Sequence, residues 1–224
     1  MFEGTPLPLA TLDVLIVSIW MGVVGAVATV VLRSRFEREW ALTLWSGYQI
    51  TRVWQRLADE SARTGGTFTS HIMGIVAWAM LGSFWGLTQA EVLDIQQVWI
   101  STGWAALLGL GALLLRHLAG AVGAFITLER EAVERGFEVD RHLRNWWLWL
   151  LMALLIWEMT RNTGFEQRES IWQHTVLLWW GWLIVKWLRQ LQSIGHKRLH
   201  FGWGFAYLCT FEFGPAVWLF TRWG

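Results

Sequence analysis

The sequence predicts an all-α fold, a polytopic transmembrane helical bundle of about six spans with amphipathic interfacial helices on the cytoplasmic side. Hydrophobic residues make up 54% of the 224 positions, and they gather in runs long enough to cross the roughly 30 Å hydrocarbon core of a bilayer. Trp occurs 20 times, and its amphipathic ring suits the two membrane interfaces. The chain, 1–224, is therefore predicted to be a single integral membrane domain, with the lipid bilayer as its first partner.

Six apolar runs are predicted to be the spans. The third is expected to continue as helix to about Leu128, past the Arg116–His117 pair that interrupts it, and the fourth is short unless its ends snorkel. The six spans are 12–32, 72–88, 98–118, 146–159, 171–188 and 202–220.

Basic residues predict the orientation. Fourteen Lys and Arg side chains follow spans one, three and five, whereas three follow the even-numbered spans. The positive-inside rule therefore places three basic connections in the cytoplasm and both termini outside it. The first span is expected to be retained, because no basic region precedes it and it carries Asp13. A single Cys excludes a disulfide framework within the monomer, and a net charge of +1 gives no reason to expect nucleic acid.

The cytoplasmic segment 33–70 is predicted to be interfacial. Apolar residues recur in it at helical spacing with charges between them, which predicts an amphipathic helix-turn-helix at headgroup level. These residues are Phe36, Trp40 and Leu44, followed by Ile50, Trp54 and Leu57. The stretch 61–70, with Gly65 and Gly66, is predicted to be a loop.

Two further stretches predict helix extension and close packing. Glu131 and Arg135 are spaced to support helix over 128–144. The small-residue pairs Gly82/Gly86 and Ala105/Gly109 allow helix backbones to approach closely, either inside the bundle or between copies.

Glu212 is the principal functional candidate, because a carboxylate in mid-membrane persists only where it is paired, hydrated or used. Cys209 shares its helix face, and Pro215 frees a carbonyl group nearby. Glu212 is either a proton-carrying or ligand-pairing carboxylate, or a buried carboxyl that holds two helices in register, neutral or paired with Arg116.

The histidines raise the question of a cofactor. His71 and His117 are expected at similar depth and are the only pair that could ligate a single haem b. His117 could instead bind a metal or hydrogen-bond a neighbouring carbonyl group, and no cofactor is the default expectation. His174 has no histidine partner near the outer face.

Other charged groups have structural interpretations. Glu158 and Arg161 are predicted to neutralise each other at the outer interface, and His196 and His200 to lie in a basic turn beside anionic lipid headgroups. No nucleotide-binding glycine loop, metalloprotease motif or hydrolase nucleophile motif is present, so neither a catalytic residue nor a metal site is predicted.

The ending of the chain, 205–219, resembles that of an uncharacterised Bacteroidota integral membrane family, a domain of unknown function. Its members close on a Tyr-Leu-Cys-x-x-Glu-x-x-Pro-like run, matched here by Tyr207, Leu208, Cys209, Glu212 and Pro215. A basic-aromatic stretch (33–45) and a Glu-rich helical stretch (128–137) are also similar. The resemblance implies the inner membrane of a Gram-negative bacterium and implies no activity. In that membrane, the distribution of Lys and Arg predicts that both termini are periplasmic.

The functional expectation is a non-catalytic polytopic inner-membrane protein, acting as a scaffold or accessory subunit among other membrane protein subunits of a larger envelope complex. The first alternative is a transporter or proton-coupling subunit that uses Glu212 and Arg116. The second is a single-haem b redox subunit that uses His71 and His117.

Overall fold

The computed structural model describes residues 9–59, 65–89, 95–127, 130–160 and 167–194. Within these ranges only Phe36 and Gln49 lie outside a helix, which confirms the all-α prediction. The helices are α1 (Leu9–Arg35), α2 (Glu37–Tyr48), α3 (Ile50–Asp59), α4 (Gly65–Gln89), α5 (Ile95–Thr127), α6 (Arg130–Thr160) and α7 (Gln167–Ile194).

Three of these helices are long and apolar enough to cross a membrane. The candidate spans are Leu15–Arg35 in α1, Gly66–Leu87 in α4 and Ile95–Val122 in α5. They support the prediction of a membrane protein in a lipid bilayer. The predicted spans 146–159 and 171–188 lie in α6 and α7, which are less apolar overall, and 202–220 lies outside the described residues. The count of six spans therefore stays a prediction.

Helix α4 lies at the centre of the bundle and packs against α1, α5, α6 and α7. In its most apolar stretch 67% of the residues are buried, against 28% in the corresponding stretches of α1 and α5. Large buried side chains on α4 form much of the main core, among them Met73, Met80 and Phe84. By contrast, α1 and α5 direct Val, Leu and Trp side chains outward, where lipid or another protein must cover them.

The small-residue pairs lie inside the bundle, where they pack α4 against α5. A Cβ atom built on Gly82 would meet Ala105 and would lie 2.5 Å from the carbonyl oxygen of Ser101. One built on Gly86 would lie 2.9 Å from the Cα atom of Val98. Gly109 on α5 lies against the ring of Trp78. Of the two possibilities left open by the sequence, these glycines serve internal packing.

The helix-turn-helix predicted after the first span is present as α2 and α3. Phe36 and Gln49 form its corners, with backbone bonds from Phe36 N to Leu32 O (3.1 Å) and from Gln49 N to Trp45 O (2.7 Å). Leu42 of α2 and Val53 of α3 are buried in a second small core with Val139 and Leu143 of α6. The hairpin therefore packs on the bundle, and its cytoplasmic, interfacial location stays a prediction.

The predicted loop over 61–70 is wrong for its second half, because α4 begins at Gly65. The two glycines suggested a turn, but Gly66 serves close packing. A Cβ atom on Gly66 would collide with the side chain of Glu39 and lie 3.1 Å from the Cβ atom of Phe36. The absence of a side chain lets the first turn of α4 approach α2.

The continuation of the third span beyond Leu118 is confirmed, since α5 runs as one helix to Thr127. The predicted fourth span is not a separate short element. It is the second half of α6, a helix of 31 residues that also contains most of the extension predicted over 128–144. At 1.5 Å per residue α6 is about 45 Å long, so roughly a third of it exceeds the hydrocarbon thickness.

Candidate functional site

The most unusual feature of the described structure is a run of buried polar side chains on α6, which we call the α6 polar segment (residues 138–145). Asp140, Arg141, His142 and Asn145 in this run are all buried. Neighbouring residues on a helix point in different directions, so burial of all four requires partners on several sides. Helices α2, α4, α5 and α7 supply those partners.

Asp140 is the centre of one group, the Asp140 cluster. Its carboxylate lies 2.7 Å from Lys186 Nζ of α7, 2.9 Å from Arg116 Nη1 of α5 and 3.5 Å from Arg144 Nε of α6. Asp140 is 1% exposed and Lys186 is 3% exposed. Burial by itself raises the pKa of Asp140, but the three cations outweigh it and hold that pKa well below its usual range. Asp140 is therefore ionised and joins three helices.

Glu39 of α2 is the centre of the second group, the Glu39 cluster. Arg141 Nη2 donates to Glu39 Oε2 at 2.8 Å and also contacts Glu138, while Arg141 Nη1 donates to Thr67 Oγ1 of α4 at 3.2 Å. The side chains of Glu39 and Arg141 are each 5% exposed. A charge-assisted bond of this length in such surroundings is strong, and removing either partner leaves a buried charge.

His142 extends the Glu39 cluster into the core. Its Nδ1 lies 2.9 Å from Thr43 Oγ1, and its Nε2 lies 3.6 Å from Glu39 Oε2. Asn145 Nδ2 donates to the same Thr43 hydroxyl at 3.2 Å and to Ser70 Oγ at 3.0 Å. The Thr43 hydroxyl therefore contacts both His142 Nδ1 and Asn145, while His142 Nε2 faces Glu39 beyond hydrogen-bond distance. Burial, followed by the nearby cations Arg141, Arg38 and Arg144, lowers the pKa of His142 well below its usual value, so the ring is neutral.

The order carboxylate, imidazole, hydroxyl in Glu39, His142 and Thr43 is that of a nucleophilic triad. The geometry does not suit that role. Thr43 and His142 have no exposed surface, and the Thr43 hydroxyl is already engaged by Asn145. A substrate carbonyl could not reach the hydroxyl, so these residues fasten α2 to α6.

The predicted ion pair of Arg116 with Glu212 would have to compete with the ion pair that Arg116 forms with Asp140 of α6. Glu212, Cys209 and Pro215 lie outside the described residues, so their predicted roles stay predictions. From the sequence, Arg141, Arg144 and Lys186 were counted only as basic residues of cytoplasmic connections, and Asp140, Glu39 and His142 were missed. One signal was present for Lys186, which lies within the apolar run 171–188.

His71 and His117 are brought together, as expected from their depths. Their ring centroids are 5.3 Å apart and their planes meet at 71°, an edge-to-face contact. His71 Nδ1 has no hydrogen-bond partner within the described part of the chain. Two axial ligands face each other across the porphyrin plane, so a haem between these rings would require them to separate. Among the described residues no group of three or more His, Cys, Asp and Glu side chains is arranged to hold a metal ion.

Glu158 and His174, both predicted to lie near the outer face of the membrane, are in direct contact. His174 Nδ1 lies 2.8 Å from Glu158 Oε1, and the carboxylate is buried while the ring is partly exposed. The contact joins α6 to α7 at the end opposite to the α6 polar segment. Arg161, the predicted partner of Glu158, lies outside the described residues.

Comparison of the chain with protein-family models, with curated proteins and with solved structures finds no match. The resemblance to the Bacteroidota family therefore stays a prediction.

Proposed function

We propose that this protein is a non-catalytic, multi-pass membrane protein that serves as a scaffold or accessory subunit of a larger complex. The observation that carries the proposal is the α6 polar segment, whose charged side chains bind partners on four other helices. In the same proposal the complex belongs to a bacterial inner membrane, with α2 and α3 on the cytoplasmic side and both termini in the periplasm, as the distribution of Lys and Arg suggests.

The ties between helices favour a rigid body. Transport by alternating access requires parts of a bundle to move against one another around a central site. Here Asp140 joins α5, α6 and α7, and Glu39 joins α2 to α6. Arg189 of α7 donates to the carbonyl oxygen of Gly47 at the end of α2 (2.9 Å), and Ser18 of α1 donates to Ser83 of α4 (2.8 Å). Motion between these helices would break buried polar contacts, which suits a rigid subunit better than a moving one.

The outward apolar faces supply surface for other subunits. Helix α5 has 33 residues and is about 50 Å long, more than the hydrocarbon core requires. Its exposed stripe includes Leu114, Leu118 and Val122 and continues to Phe125, which is 83% exposed. An apolar stripe that extends past the hydrocarbon suits contact with protein.

Site-specific photo-crosslinking tests the proposal. A photoreactive residue would be placed in the native membrane at Val27 on α1, Leu118 on α5 or Ile184 on α7, all exposed. We expect at least one face to form a discrete adduct with another membrane protein. The control is the same variant purified into lipid nanodiscs, where only lipid adducts form. Lipid adducts alone at all three positions in the native membrane would contradict the proposal.

A transport or proton-coupling role is the second candidate, and the position of Arg116 beside the buried Asp140 favours it. In this reading Glu212 and Arg116 belong to one charge pathway. The test is proton flux into liposomes that contain the purified protein. Glu212→Gln should remove the flux and leave thermal unfolding unchanged, and a parent protein with no flux above empty liposomes would remove the idea.

A single-haem redox role is the third candidate, supported only by the closeness of His71 to His117, whose rings would have to separate to admit a haem. The visible absorption spectrum of the purified protein decides it, because a haem protein has a Soret band. A spectrum without that band would end this alternative.

A further inference from the structure

Four exposed arginines flank α2, two at the end of α1 and two on α3, and we call this set the arginine patch. Its members are Arg33, Arg35, Arg52 and Arg56. None of the four makes an ion pair with any residue in the described ranges. This separates them from Arg116, Arg141 and Arg144, which are engaged inside the bundle.

Tryptophans on α2 position two of these side chains. The guanidinium carbon of Arg33 lies 6.0 Å from the ring centroid of Trp40, and that of Arg56 lies 5.6 Å from the ring centroid of Trp45. Contacts at this range are only weakly attractive at exposed sites, and they do not neutralise the charge of the guanidinium group. Both guanidinium groups therefore stay charged and accessible to an anion.

The predicted interfacial position of α2 and α3 would bring the arginine patch to the level of lipid headgroups. Arg33 and Arg35 lie in the last turn of α1, at the end of a candidate membrane span. On α3, Val53 is buried against α2 and α6, while Arg52 and Arg56 are exposed one turn apart. Trp is also a residue that favours the interface between headgroups and hydrocarbon. The nearest anions to such a surface are lipid phosphates.

We propose that the arginine patch binds the phosphate groups of anionic phospholipids. Arginine presents a planar set of donors that matches two phosphate oxygens at once, and basic residues beside a span attract anionic lipids. Bound lipid would fix the α2–α3 hairpin against the membrane and so fix the depth of the whole bundle. This inference rests on the predicted interfacial position of α2 and α3 but not on the scaffold role, because it concerns lipid and not a protein partner.

Native mass spectrometry of the purified full-length protein tests the proposal. Detergent-solubilised protein would be titrated with phosphatidylglycerol or with phosphatidylcholine, and the bound lipids counted. We expect the parent protein to prefer phosphatidylglycerol. Each Arg→Gln change in the patch should weaken that binding about fivefold. Arg→Lys changes should preserve the preference for anionic lipid in part, because the charge remains.

Glu37→Gln is the matched control of opposite sign. Glu37 is an exposed carboxylate in the first turn of α2, close in sequence to Arg33 and Arg35. Removing its charge should strengthen binding of phosphatidylglycerol.

Two results would overturn the proposal. One is equal binding of both lipids by the parent protein. The other is unchanged binding when all four arginines are replaced, in protein that unfolds at the parent temperature. If inorganic phosphate at equal concentration displaced the lipid, the ligand of the arginine patch would be free phosphate and not a phospholipid.

Discussion

The buried charges of Asp140 and Arg141, both in the described part of α6, each meet groups of opposite sign. Asp140 illustrates the energetics, because moving a carboxylate out of water costs several kcal/mol and three nearby cations offset that cost. Such clusters add little net stability over an apolar core, but a damaged cluster is strongly destabilising. The expected role of Asp140 and its partners is therefore to specify which helix faces meet.

The pH dependence of stability should report on His142. Its pKa is lowered in the fold, so below its ordinary value of 6.5 the unfolded chain binds a proton that the folded chain does not. Stability contributed by the neutral ring is therefore present above pH 6.5 and falls as the pH drops below it. The thermal unfolding midpoint should decrease between pH 7 and pH 5.

His142→Gln provides the comparison for that pH series. Gln can still reach Thr43 but has no proton to gain, so the midpoint of this variant should fall less steeply over the same range. Asp140 does not contribute here, because its lowered pKa makes its contribution disappear only as the pH falls below its ordinary value of 3.8. A variant with the same slope as the parent protein would show that His142 does not set the response.

At the scale of helices, the glycines of α4 and α5 fall into two groups, according to whether atoms of another helix lie close to them. Gly82, Gly86 and Gly109 allow α4 and α5 to touch, whereas Gly103 and Gly111 on α5 have no neighbouring atoms within 4 Å of a built Cβ. The sequence shows the spacing of the first set but not the partner. Only the positions of the helices distinguish an internal contact from one between copies.

Alanine substitution separates the two kinds of glycine. Gly82→Ala places a methyl group against the backbone of Ser101, so α4 and α5 must move apart, at a cost of about 1–3 kcal/mol. Gly111→Ala is the matched control, and it should be neutral or stabilising because alanine favours helix. The measurement is the thermal unfolding midpoint of each purified variant at one scan rate. Equal midpoints for the two variants would contradict the packing of α4 on α5.

The hairpin of α2 and α3 shows how much the spacing of apolar residues can predict. Apolar spacing in the sequence was sufficient to predict both helices and the corner between them. It did not predict that Glu39 and Thr43 of α2 face inward, because the amphipathic pattern was assigned to a membrane surface. The partners of these residues lie on α6, about a hundred positions away, and no local pattern encodes a contact at that separation.

At the scale of the whole molecule, length and hydropathy predicted the helical class and the membrane environment, because both depend on composition over about 20 residues. The polar interior could not be predicted in the same way. Arg116 attracted notice as a charge in an apolar run, but its partner Asp140 lies in a charged stretch that resembles an ordinary exposed helix. The charge was visible in the sequence, and the helix it would meet was not.

A rigid bundle held by the α6 polar segment is the central claim, and Asp140 is its most connected residue. Asp140→Asn keeps the size of the side chain and removes its charge, which leaves Arg116, Arg144 and Lys186 without this carboxylate. The direct test is the thermal unfolding of purified full-length Asp140→Asn, followed by tryptophan fluorescence and compared with Glu37→Gln as an exposed carboxylate control. We expect Asp140→Asn to lower the free energy of unfolding by about 3–5 kcal/mol and the control to leave it unchanged. An Asp140→Asn protein that unfolds at the parent temperature would contradict it.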